Sequence, residues 1–144
     1  MRIGEILEHK SGPAVVTVAP DASVRALLAI LAEHNIGACI VSSDDAAVAG
    51  IVSERDVVRR LHADPDVLDG PVSAIMTSVV ETCDEEVAAD DLMGVMTRRR
   101  IRHVPVLREG ELVGIVSIGD LVKHRIDELT FERDQLDAYV HQTQ

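Results

Sequence analysis

The chain has 144 residues, enough for one domain or two very small ones, and its 47% hydrophobic content supports a packed globular core. A net charge of −11 argues against nucleic-acid polymers as partners, because phosphate contacts dominate that affinity, and the two aromatic residues, Phe131 and Tyr139, offer no platform for stacking bases. No apolar run approaches the roughly 20 residues of a membrane span, and the N-terminus has no apolar signal-peptide core, so a soluble, cytoplasmic protein is expected.

In chain order, Ile3, Ile6 and Leu7 fall at helical spacing within residues 2–9, and Ser11-Gly12-Pro13 breaks that short helix. Residues 15–18 read as a strand ending at Pro20. Asp21 or Ser23 caps a helix running to about His34, which ends at Asn35-Ile36-Gly37. Residues 38–41 and 48–53 read as buried strands joined by an acidic turn at Asp44-Asp45, and Ser53 caps a helix over 54–62. Residues 63–71 form a linker, and 72–76 a short helical turn echoing the first helix. The order then recurs: a strand near Thr82, a helix to Arg100, strands at 103–107 and 111–117, and a helix from Ile118 to about Val140. On that last helix Ile126, Leu129, Leu136 and Val140 form a heptad-like seam interrupted by Arg133, which suits packing on a partner subunit or on the chain's own body.

The recurrence is an internal repeat. Gly-Ile-Val-Ser-x-x-Asp occurs at 50–56 and again at 114–120, an offset of 64. Aligning Thr17 with Thr82 gives an ungapped match at offset 65 as far as Val41 and Val106, pairing Leu27 with Leu92, Leu31 with Met96 and Ile36 with Ile101. The one-residue change lies in a loop, where length drift is tolerated. A single copy would bury only about 60% of its unfolded surface, so the two copies are expected to share a core.

Ser53 with Asp56, and Ser117 with Asp120, open the helices that follow the last strand of each copy. A helix N-terminus offers N–H groups and partial positive charge to phosphate or hydroxyl oxygens, and an aspartate there can accept both hydroxyls of a ribose. The competing reading is a plain capping box. The run Arg98-Arg99-Arg100-Ile101-Arg102-His103 holds four of the fourteen Lys and Arg residues. Arg98 and Arg99 suit a helix C-terminus, whereas Arg102 and His103 lie beyond it and suit phosphate contact. The corresponding stretch of the first copy, through Gly37 and Ala38, carries no fixed positive charge. Thr17 and Thr82 occupy matching first-strand positions. Cys39 and Cys83 fall in predicted strands and read as small buried hydrophobes. Signatures of phosphate-binding loops, zinc proteases and serine hydrolases are absent, and the six histidines show no metal-ligand spacing, so no catalytic residue and no metal is expected.

Together, the Thr-Val-x-Pro-Asp-x-Ser-Val stretch at 17–24, Arg-His-Val-Pro-Val at 102–106 and both Gly-Ile-Val-Ser-x-x-Asp segments resemble the tandem cystathionine-beta-synthase (CBS) domain, across about residues 8–62 and 73–125. The long final helix is similar to that of the stand-alone two-copy type. The resemblance implies an α/β (α+β) fold of two pseudo-symmetric β-α-β-β-α units packed sheet to sheet, joined by a linker at 63–72 and followed by a helical extension at 126–144. It implies a homodimer, a possible regulated enzyme as partner, and adenosine ligands (AMP, ADP, ATP, NAD or S-adenosylmethionine) held between the copies without catalysis. Carried over, one cleft combines Thr17 with Arg102, His103, Ser117 and Asp120, and is expected to be the stronger. The other combines Thr82 with Gly37, Ala38, Ser53 and Asp56, and is expected to be weaker, in part because Glu85 stands opposite Pro20. The expected function is a non-catalytic sensor of adenine nucleotides. The alternative is a structural dimerisation module with vestigial clefts, and an enzyme acting on nucleotides is poorly supported because the aspartates lack companion metal ligands or an activated nucleophile.

Overall fold

A computed structural model describes residues 1–10 and 15–142, so the expected break at Ser11-Gly12-Pro13 lies outside the described residues. The elements are α1 (Ile3–Glu8), β1 (Thr17–Val18), α2 (Val24–His34), β2 (Ala38–Val41), β3 (Gly50–Ser53), α3 (Glu54–Ala63), β4 (Cys83–Asp84), α4 (Ala89–Arg99), β5 (His103–Arg108), β6 (Glu111–Ser117) and α5 (Ile118–Gln142). Two short 3-10 turns, Pro65–Asp69 and Val72–Ala74, fill the linker. No helix of the described residues is long and apolar enough to cross a membrane.

Each copy forms a three-stranded sheet. In the first, β1 runs parallel to β2 and β2 antiparallel to β3; β4, β5 and β6 repeat that order. The helix ends are set locally. Ser23 caps α2 by accepting from the Ala26 N–H at 3.0 Å. Asn35 and Arg100 close α2 and α4 in the left-handed conformation at matching positions. The first strand is shorter than expected, because only Thr17 and Val18 reach the register of Ile40 and Val41.

The expectation of one shared core is corrected. There are two aliphatic clusters, one around Val24, Leu27, Val41 and Val52, the other around Leu92, Met96, Val106 and Val116. The copies are instead interlocked by exchange. Ile3 and Ile6 of α1, at the head of the first copy, are buried in the second cluster, and Val72 and Ile75, at the head of the second copy, are buried in the first. The backbone bonds of the exchange mirror each other: Val72 N–H donates to Ala22 and Ser73 N–H to Pro20, as Ile3 N–H donates to Val87 and Gly4 N–H to Glu85. Each small core is thus completed by apolar side chains that precede the other copy, which answers the shortage of buried surface in a unit of this size. β2 is buried on both faces, as the packing of the two sheets demands.

The cysteines behave as expected of core residues. Cys39 is buried and Cys83 half-buried, and burial, joined at Cys83 by the nearby Asp84 carboxylate, pushes both thiols up to about 11.

Candidate functional site

The repeated motif builds two strand-to-helix junctions. At the first, the Ser53 N–H and hydroxyl donate to Asp56 Oδ2 at 2.9 and 3.1 Å, and Ser53 Oγ accepts from the Asp56 N–H at 3.3 Å. At the second, the Ser117 N–H donates to Asp120 Oδ2 at 2.9 Å, and Ser117 Oγ accepts from the Asp120 N–H at 3.1 Å. Both are reciprocal capping boxes. At the first junction the box uses one carboxylate oxygen of Asp56, and Oδ1 takes no part in it.

The motif glycines have a steric cause. A Cβ at Gly50 would stand 2.7 Å from both Met76 Sδ and the Thr77 carbonyl oxygen, and one at Gly114 would stand 2.9 Å from the Leu7 methyl groups. The absence of a side chain at Gly50 lets the segment entering the second copy cross the first sheet, where Ile51 and Thr77 exchange both backbone hydrogen bonds at 2.9 Å. That crossing brings residues 77–81 in front of the Ser53–Asp56 junction. The far wall comes from the end of α4 and the start of β5.

The result is a cleft of about 320 Å³, within the range of small-molecule pockets, whose lining includes Gly37, Ala38, Ser53, Asp56, Arg102 and His103. Ile51, Val79 and Val80 supply apolar surface, and Arg55 and Arg100 add two further cations. Glu81, also on the wall, accepts from Arg99 at 2.5 Å. Burial, with help from Lys10 and Arg102, lowers the His103 pKa against the pull of Asp120 and Glu54, so its ring is neutral at pH 7.

The second junction has different neighbours, and Lys10 and Asp120 line a separate cavity of about 430 Å³ with Met1, His9, Lys123 and Phe131. Lys10 Nζ stands 3.0 Å from Asp120 Oδ2 and donates to the Ile115 carbonyl at 2.9 Å. Ile115 is the counterpart of Ile51, so a side-chain ammonium takes the carbonyl that the Thr77 N–H takes in the first copy. Burial pushes the Asp120 carboxyl up, but the Ser117 N–H and Lys10 outweigh it and leave its pKa below the usual carboxylate value.

The expected residue sets are therefore redistributed. The structure gathers Gly37, Ala38, Ser53 and Asp56 as grouped, and adds Arg102 and His103, which the sequence reading had assigned to the other cleft. His103 starts the central strand β5, is paired in register with Ser117, and senses charge from both Asp120 and Glu54. Thr17 donates its hydroxyl to Asp45, and neither Thr17 nor Thr82 lines the cleft; Thr77 does. Glu85 is held by Arg108 in a bidentate pair, at 2.5 Å to Nε and 2.8 Å to Nη2. Sequence reasoning missed Lys10, Thr77 and Arg100. Arg100 stood within the noted basic run, whereas Lys10 and Thr77 carried no signal because their positions depend on the exchanged segments.

The family model for the CBS domain matches residues 3–63 and 72–127. The crystal structure of a CBS-domain protein from Agrobacterium tumefaciens is similar with 42% identity and a TM-score of 0.81, covering 87% of this chain and 99% of that one. A CBS-domain protein from Pyrobaculum aerophilum complexed with AMP is 30% identical, with a TM-score of 0.72 and coverage of 83% and 89%. The CBS domain pair of protein MJ0100, in complex with 5'-methylthioadenosine and S-adenosyl-L-methionine, is 25% identical, with a TM-score of 0.75 and coverage of 89% and 98%.

Proposed function

The chain belongs to the CBS-domain family, and from that premise we propose that it is a non-catalytic regulatory module that holds an adenosine phosphate of the AMP class in the Ser53–Asp56 cleft. One observation carries the reading: a carboxylate at the start of a helix and a group of cations face the same cavity. Asp56 accepts the ribose hydroxyls through the oxygen that its capping box does not use. Arg100, Arg102 and His103 receive the phosphate. The base lies on Ile51, Val79 and Val80; Val79, 92% exposed, gains cover when the site fills. Two solved relatives, one complexed with AMP and one with methylthioadenosine and S-adenosylmethionine, support the adenosine class.

The walls of the cleft come from both copies, so a bound ligand ties residues 77–81 and 100–103 to the α3 start. Such a ligand shifts how the copies pack only as far as it binds one arrangement better than another, and a partner protein or the chain's own dimer reads that shift. The Asp120 junction, bridged by Lys10, is the weaker of the two.

The test is calorimetric titration with AMP, ADP, ATP, NADH and S-adenosylmethionine, on wild type, Asp56→Asn and Asp120→Asn. Asparagine keeps an oxygen for the cap and removes the charge. Charged hydrogen bonds are worth about 1.5–3 kcal/mol, so Asp56→Asn weakens AMP by about tenfold or more, while Asp120→Asn changes it less than threefold. Equal losses, or binding untouched by Asp56→Asn, overturn the assignment. No binding by any compound returns the chain to a structural role.

A further inference from the structure

Three arginines, Arg55, Arg100 and Arg102, and three acids, Glu54, Asp56 and Glu81, line the Ser53–Asp56 cleft. The arginines have no acidic partner among the described residues, so they are free to receive an anion. Two of the acids are occupied, Asp56 in its capping box and Glu81 by Arg99. The side chain of Glu54 takes no hydrogen bond and no ion pair among the described residues. Its carboxylate is nevertheless well placed. A Cβ built on Gly37 would stand 3.4 Å from Glu54 Oε1, 3.6 Å from its carboxyl carbon and 3.9 Å from Oε2, so the whole group lies against the bare backbone of Gly37 in the cleft lining. Its charge reaches the phosphate-receiving group, where it favours the protonated form of His103.

A helix start favours an acid, but this junction does not require one. In the second copy the same position is Ile118, whose N–H donates to the Arg102 carbonyl at 2.8 Å as that of Glu54 donates to the Gly37 carbonyl at 2.9 Å. Gly37 and Arg102 are themselves counterparts in the repeat. The corner that builds the cleft therefore has a free carboxylate, and no side chain beneath it, where the other copy has an apolar residue and a cation. An uncompensated carboxylate beside phosphate-receiving cations acts on the ligand's charge. Arginines at close range hold a first phosphate in spite of it, but every charge beyond that phosphate adds repulsion, which a partly enclosed cleft screens less than bulk water does. Resting on the assignment of this cleft to an adenosine phosphate, we propose that Glu54 is its charge selector: it disfavours a triphosphate against a monophosphate, so that the site prefers AMP to ATP.

Calorimetric titration of the full chain with AMP and ATP, first without divalent cations, tests this on wild type, Glu54→Gln and Glu54→Asp. Glu54 is exposed, so circular dichroism should show the fold unchanged in both variants. The wild type binds AMP more tightly than ATP. Glu54→Gln keeps the length of the side chain and removes its charge; ATP then tightens at least about fivefold and AMP about twofold or less. Glu54→Asp keeps the charge and the wild-type order of affinities. Added Mg²⁺ cancels much of the excess charge of ATP and shrinks its gain in Glu54→Gln. A wild type that prefers ATP, an ATP affinity unchanged or weakened by Glu54→Gln, or equal tightening of both nucleotides overturns the selector and leaves AMP binding through Asp56 in place. A gain that Mg²⁺ turns into a loss also overturns it, because Glu54 would then grip the cation. AMP binding indifferent to Asp56→Asn removes the site itself, and the selector with it.

Discussion

At the first junction a backbone segment crosses the sheet, Thr77 pairs with Ile51, and the Ser53–Asp56 corner opens into a cleft lined by Arg100, Arg102 and His103. At the second junction Leu7 lies over Gly114, and Lys10 takes both the Ile115 carbonyl and the Asp120 carboxylate. The capping boxes are nearly superimposable in their bonding, so the motif alone does not decide which corner can take a ligand. What differs between the two corners is the segment that enters from the other copy.

The largest expected difference lies in the two glycines. Gly50→Ala drives a methyl group into the Thr77 carbonyl, on a residue held by two backbone hydrogen bonds to Ile51, and into Met76 Sδ. Gly114→Ala meets only the ends of Leu7, which can turn aside. Overpacking of this kind costs about 1–3 kcal/mol, so Gly50→Ala should fall near the upper end and Gly114→Ala at or below the lower, measured by urea unfolding. Equal losses would mean that the two crossings are equally rigid.

A smaller effect tests the lock on the second corner. Lys10→Met removes the ammonium from Asp120 and the Ile115 carbonyl. The pair is partly exposed, so solvent screening limits the loss to about 1 kcal/mol at pH 7. The folded-state pKa of Asp120 is depressed, so its contribution is present above the unfolded carboxyl pKa and is lost as pH falls through the folded one. The stability gap between wild type and Lys10→Met should therefore be widest near neutrality and close in acid. A gap that persists unchanged into acid would assign the effect of Lys10 to its packing.

Much of this architecture was legible in the sequence. The element order, the caps at Ser23 and Ser53, the strands flanking both motifs and the long last helix follow from apolar spacing and local hydrogen bonding, and the structure has them. The motif glycines were visible as repeated residues, but their cause was not, because Met76, Thr77 and Leu7 lie outside the motif and meet it only through the exchange. The same exchange replaced the expected shared core with two interlocked ones. His103 stood out as a candidate residue. Its cleft did not, because a residue at the start of a central strand stands between two sites, and side-chain direction there is fixed by tertiary packing. Lys10 was hidden most deeply: its carbonyl partner is 105 residues away.

The smallest effect concerns that shared histidine. Burial comes first in lowering its pKa, and Lys10 and Arg102 add to it against Asp120 and Glu54. Because the unfolded ring binds protons more readily, the ligand-free fold loses stability as pH falls through about 6.5 towards the folded value. A phosphate in the first cleft would act the other way: its charge favours the protonated ring, raises the pKa from its ligand-free position and makes binding take up a proton. The phosphate itself gains its second charge near pH 6, so the raw affinity mixes two titrations of opposite direction. The ratio of AMP affinities between wild type and His103→Gln cancels the ligand's share. That ratio should grow about two- to threefold from pH 8 to pH 6, since the ring is a single weak partner among stronger guanidinium groups. A ratio that stays flat would place the phosphate away from His103 and leave the arginines to hold it, whereas one that falls with acid would mean that the neutral ring is the form the ligand prefers.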